Sequence, residues 1–134
     1  MALTEATAGR TINDAAMPVR VTLAEACKKG DLLGYSSGWK RALATVGTAI
    51  QAKLIAGEDG ASGDVITAYS TALVSGFTGG TPGGALYTAE GTSYGCYTES
   101  APATTGDCNT IIGLIVSATE VLAWPGNRVE SLSS

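Results

Sequence analysis

Gly34-Tyr35-Ser36-Ser37-Gly38 has the G-x-S-x-G spacing of a nucleophile elbow, the arrangement that would most readily give this chain chemistry. An elbow lifts its serine on a strained strand-to-helix turn and needs a histidine base to take the serine proton. The sequence contains no histidine, and a hairpin turn accounts for the same residues. Glu58, Asp59 and Asp64 share one glycine-rich stretch and could offer oxygen ligands to calcium. Their spacing is not that of an EF-hand and Ala61 interrupts the run, so a solvated acidic turn is the simpler reading. The Thr78–Gly84 loop (TGGTPGG) has the glycines of a phosphate cradle but lacks the G-K-[ST] ending, and no helix follows it.

Cys27, Cys96 and Cys108 show no C-x-x-C spacing, and a structural zinc site needs about four nitrogen or sulfur ligands. They read as small buried hydrophobes in a reducing compartment, with a Cys96–Cys108 bridge across a hairpin as the alternative. Tyr35, Trp39, Tyr69, Tyr87, Tyr94, Tyr97 and Trp124 could form a sugar-stacking face. On short strands such residues more often anchor a core or an interface. This inventory points to binding or structure rather than catalysis, with no metal and no cofactor.

The elements that would carry these residues are short. Four apolar runs, Gly84–Tyr87, Tyr94–Thr98, Thr110–Val116 and Val121–Trp124, recur at intervals of roughly ten residues between Gly, Ser, Thr or Pro, as in a β-meander. Met17–Leu23 alternates as a strand, with Pro18 tolerated near its start or on an edge. Leu32–Tyr35 and Trp39–Ala42 read as a hairpin about Ser36-Ser37-Gly38. Thr48–Ala56 alternates as a half-buried strand, and Val65–Tyr69 and Ala72–Phe77 follow as two more. Ile111–Val116 is apolar on both faces and predicts a central strand covered on both sides. Thr22-Leu23-Ala24-Glu25 has a capping-box pattern, so a single helical turn over Leu23–Lys29 competes with a strand running into the Lys29-Gly30-Asp31 turn. The loop at 78–84 is expected to be the most flexible. The fold class expected is all-β: a small barrel or sandwich of nine or ten short strands.

A chain of 134 residues is one domain. Its hydrophobic share is 45%, but it holds one Phe and two Trp, so its core is thin and association with other chains is expected to add stability. Net charge is −4 and the eight basic residues are scattered, which disfavours nucleic acid. No basic-then-apolar leader and no apolar run near ~20 residues is visible, so a soluble protein made in the cytosol is expected. Residues 1–16 (MALTEATAGRTINDAA) lack both periodicities and read as an N-terminal arm that orders on a partner. Leu3 and Ile12, with Met17 just beyond, are its apolar anchors, and Glu5, Arg10 and Asp14 its polar contacts. Residues 17–125 form the β-rich domain and 126–134 a polar tail.

One order of motifs resembles a known family. Lys29-Gly30-Asp31-Leu32-Leu33 is followed by a hairpin with Gly38 and by the turn Gly60-Ala61-Ser62-Gly63-Asp64-Val65. Then come Gly84-Ala85-Leu86-Tyr87, Tyr97-Thr98-Glu99-Ser100-Ala101-Pro102, Ile112-Gly113-Leu114-Ile115 and Val121-Leu122. From about Val19 to Pro125 this resembles the capsid decoration (cement) proteins of tailed bacteriophages. The resemblance implies a small β-tulip domain with an extended N-terminal arm and no catalytic set. It also implies a homotrimer on the outer capsid surface of the virion, clamping adjacent major capsid protein subunits after the shell expands. Another virion module, from the tail, the head-completion set or a receptor-binding protein, is the alternative.

Overall fold

The computed structural model describes residues 3–5, 9–126 and 132–133. Among them are eleven strands and no helix: β1 (Thr4–Glu5), β2 (Thr11–Thr22), β3 (Leu32–Tyr35), β4 (Trp39–Arg41), β5 (Leu54–Ala56), β6 (Val65–Ser75), β7 (Phe77–Thr78), β8 (Ala85–Thr88), β9 (Tyr97–Thr98), β10 (Gly113–Ile115) and β11 (Glu120–Ala123). Every strand pair is antiparallel. Nine strands form one sheet curled into a half-barrel, as the all-β expectation required, and β1 pairs separately with β7.

β6 is the spine. Ile66, Ala68, Ala72 and Val74 are buried, while the odd-numbered residues between them stay at least partly exposed, the period-two pattern of a half-buried strand. β2 lines one edge from Thr22↔Val65 to Thr11↔Ser75. The other edge is shared: β5 pairs at Ala68 and Tyr69, β11 at Ala72–Ser75, and Gly126 N–H reaches Ser70 C=O at 3.3 Å between them. The sheet therefore forks into a β5–β3–β4 wing and a β11–β10–β8–β9 wing. Curling brings the wings together over Leu32, Ile55, Val74, Phe77, Leu86, Ile112, Ile115 and Val121, all essentially buried. A second cluster gathers Val21, Leu23, Cys27, Leu33, Ala56, Ile66 and Ala68. Phe77 meets Tyr97 edge to face, ring centroids 5.4 Å apart, a favoured aromatic geometry.

Several expected elements differ. The boundary at residue 16 is crossed by β2, which starts at Thr11. Its alternation was hidden because Asn13 is an extra, bulged residue and Met17 takes a left-handed φ of +59°. Val65–Tyr69 and Ala72–Phe77 are not two strands: Ser70 and Thr71 continue β6, and Phe77 belongs to β7. Of Thr48–Ala56 only Leu54–Ala56 forms a strand, with an isolated Leu43–Ile50 bridge before it. Leu23–Lys29 makes no helical turn; Leu23 bridges Trp39, Cys27 bridges Gly60, and the Glu25 carboxylate accepts the Arg41 N–H at 2.7 Å instead of capping a helix. Of the run at 111–116 only Gly113–Ile115 forms a strand, with Gly113 and Ile115 buried and Leu114 only partly so, while Ile111 and Val116 outside it are exposed. The last four runs are not a simple meander, because β9 and β10 flank β8 on opposite sides.

The Thr78–Gly84 loop is pinned rather than loose. Gly80 N–H donates to Ala118, Gly83 N–H to Ile115 and Gly84 N–H to Thr81. In the tail, residues 127–131 and 134 lie outside the described residues, and Leu132 bridges Cys108.

Candidate functional site

The most heavily built polar site gathers residues from the N-terminal segment against the sheet. Arg10, just before β2, sends its guanidinium inward, leaving 6% of its side chain exposed. It donates to both Glu5 carboxylate oxygens at 2.8 Å and forms an ion pair with Asp31, itself only 8% exposed. Its ζ-carbon sits 5.5 Å from the Tyr97 ring centre, and one terminal nitrogen lies 3.6 Å from the Cys96 sulfur. A fork of donors held by two carboxylates and an aromatic face suits arginine in a way lysine could not reproduce.

The backbone makes room for this cluster. Gly30 has φ +85°, and a Cβ there would sit 2.7 Å from Arg10 Cδ. Gly95 has φ +74°, and a Cβ there would meet Asp31 Cγ at 2.9 Å. Only residues without side chains allow the ion pair to lie flat on the turns, and both turns use a left-handed φ that glycine adopts freely. Asp31 is fixed from its other side by the Lys28 N–H at 2.9 Å, and Tyr97 O–H donates to Gly30 C=O at 2.5 Å.

Electrostatics follow from burial. Burial works to lower the Arg10 pKa, but the Glu5 hydrogen bond and the Asp31 carboxylate outweigh it and leave it raised, so the guanidinium stays charged. Burial raises Asp31, opposed by Arg10 and by the Lys28 N–H. Burial, then the Glu5 hydrogen bond and charge, pushes the Cys96 thiol up to about 12. Burial, then the Asp31 and Asp59 charges, pushes Cys27 up to about 11. These thiols are poor nucleophiles at neutral pH, because the thiolate is the reactive form. Among the described residues no two cysteines are joined by a disulfide.

The six residues singled out in the arm divide. Leu3 is 6% exposed and belongs to the main core, Ile12 packs against that core, and Glu5 and Arg10 form the ion cluster. Asp14 faces outward and accepts the Ala15 N–H at 2.9 Å. Met17 is 70% exposed. Asp31, Gly30 and Gly95 were missed as site residues, and Cys96 and Tyr97 were weighed only as a thiol and as an aromatic anchor, since each is ordinary locally and gains its role only where distant turns meet.

The other candidates take structural places. Ser36, Ser37 and Gly38 form the β3–β4 turn, closed by Ser36 N–H on Gly38 C=O at 2.9 Å. Glu58, Asp59 and Asp64 each accept a different backbone N–H, from Thr67, Lys29 and Ala61, at 2.9, 2.7 and 2.9 Å. They brace turns and do not converge. The aromatics are spread out: Tyr35 meets Trp39 edge-on at 5.5 Å, Tyr94 lies under Arg41, and Tyr97 is buried.

Beside the ion cluster is a cleft of about 810 Å³. Leu3, Thr4 and Glu5 line one side, Cys96–Thr98 and Ser100–Thr104 another, with Glu90 among the remaining residues. The chain matches no protein-family model, no curated protein and no solved structure in the comparisons made.

Proposed function

We propose that this chain is a capsid decoration protein. It binds the outer surface of a phage head and stabilises the expanded shell by clamping adjacent major capsid protein subunits. The order of turn and strand motifs from Val19 to Pro125 motivates the reading, and a small all-β half-barrel is the scaffold that reading requires. The observation that carries it furthest is β2. This twelve-residue strand pairs only with β6 among the described residues, so its second edge is open, and it bears Met17 and Val19 exposed by 70% and 43%. Long open edges and exposed apolar side chains are what a protein built to lie against neighbours presents.

In this reading the protein performs no reaction and needs no cofactor. It stabilises by mass action: a ligand that prefers the expanded shell stabilises it by its differential binding free energy. The assembly proposed is a homotrimer seated on coat subunits, without nucleic acid or membrane. Co-sedimentation of purified protein with expanded and unexpanded shells, both lacking it, tests the reading. Saturable binding to the expanded shell alone is expected. Equal partition into the pellet with both, or with neither, contradicts it.

A further inference from the structure

The cleft beside the ion cluster runs between two strands that each have an unused edge. Among the described residues β1 pairs only with β7, and β9 only with β8. In an antiparallel ladder, hydrogen-bonded and non-hydrogen-bonded pairs alternate, and residues of the second kind turn their N–H and C=O away from their partner. Ala89 N–H donates to Cys96 C=O, so the next pair, Thr88 and Tyr97, is of the second kind and the Tyr97 backbone faces outward. Phe77 N–H donates to Thr119 C=O, away from β1, so Glu5 opposite it likewise turns its backbone outward. Glu5 and Tyr97 both line the cleft.

The charge around this space has one sign. The charged residues lining it are Glu5 and Glu90, with no lysine or arginine among the lining residues. Glu5 is already engaged by Arg10, whereas Glu90 is exposed, and the neighbouring buried Asp107 carboxyl raises its pKa. A volume of about 810 Å³ lies within the range of ligand sites, ~300–1,000 Å³.

We propose that this cleft binds an extended peptide segment bearing basic side chains, added as a strand along the outward edge of β9 with a lysine or arginine at Glu90. Backbone pairing supplies affinity and the carboxylate selects the basic side chain, the division of labour in strand addition. The site does not depend on the chain decorating a shell, and its test uses no shell.

The test is a titration of isotope-labelled full-length protein with acetyl-Thr-Lys-Val-Lys-Val-Thr-amide, followed by backbone amide NMR. Saturable shifts are expected at Glu5, Glu90, Tyr97 and Thr98. The same peptide with Glu for Lys should bind at least about tenfold more weakly, as should the Lys peptide N-methylated on alternate residues. Glu90→Gln lies on the exposed rim and should weaken the Lys peptide by about threefold or more while leaving the remaining amide spectrum in place. Shifts located elsewhere, no saturation, or equal binding of the Lys and Glu peptides would overturn the proposal.

Discussion

Arg10 is the residue on which most polar contacts of the N-terminal segment depend, and removing it leaves two carboxylates without their cation. Arg10→Met should cost about 3–5 kcal/mol, the usual penalty for breaking one side of a buried ion pair. Its pH dependence has a definite sign. Asp31 has a raised pKa in the folded state, caused first by burial, so its contribution favours folding below the unfolded carboxylate value of ~3.9 and fades as pH rises through the folded value. Losing Arg10 removes the main influence that lowers the Asp31 pKa and widens that window. Urea melts of the variant should therefore show a deficit that shrinks on acidification to about pH 4; a deficit independent of pH would mean that Arg10 acts through packing alone. The thiols give a second residue-scale prediction. With Cys27 and Cys96 pushed up to about 11 and 12, native protein at pH 8 should react with a chromogenic disulfide far more slowly than unfolded protein. Rapid reaction of all three thiols without denaturant would contradict the burial described.

At the scale of elements, the N-terminal segment is built into the sheet. Deleting residues 1–16 removes Leu3 from the core, Arg10 from its cluster and the ladder partners of β6 from Thr71 to Ser75. Truncation of Leu3 alone to Ala should cost about 2–5 kcal/mol, and the deletion more, seen as a large fall in Tm. An unchanged Tm in the deletion variant would show that the segment is dispensable to the domain. The β3–β4 hairpin was legible in the sequence because its turn residues, Ser36-Ser37-Gly38, are local signals that fix register by themselves. β2 was legible only from Met17 onward, because the Asn13 bulge and the left-handed Met17 break period-two alternation without breaking the ladder. The site was legible by half. Leu3, Glu5 and Arg10 stood out as contact-making residues, but their partners Asp31 and Cys96 lie 21 and 86 residues from Arg10 and Leu3's neighbours are equally remote. No local pattern encodes such meetings, and the segment was read as waiting for another subunit when its partner is its own sheet.

At the scale of the molecule, one half-barrel with a single Phe has little apolar surface to spare, yet it leaves Met17, Val19, Tyr35, Val65 and Ile111 exposed. Isolated exposed side chains are ordinary; several on a domain with an open twelve-residue edge suit assembly. Sedimentation equilibrium at micromolar concentration should return a multiple of 13.4 kDa, with a trimer favoured. A monomer would confine three-fold assembly to the shell surface itself. The proposed role is tested most directly by the heat stability of expanded heads stripped of the protein and then reloaded with it. The account predicts that stripped heads melt at a lower temperature and that re-added protein restores the original transition in proportion to occupancy. Full rebinding with an unchanged melting profile would contradict it.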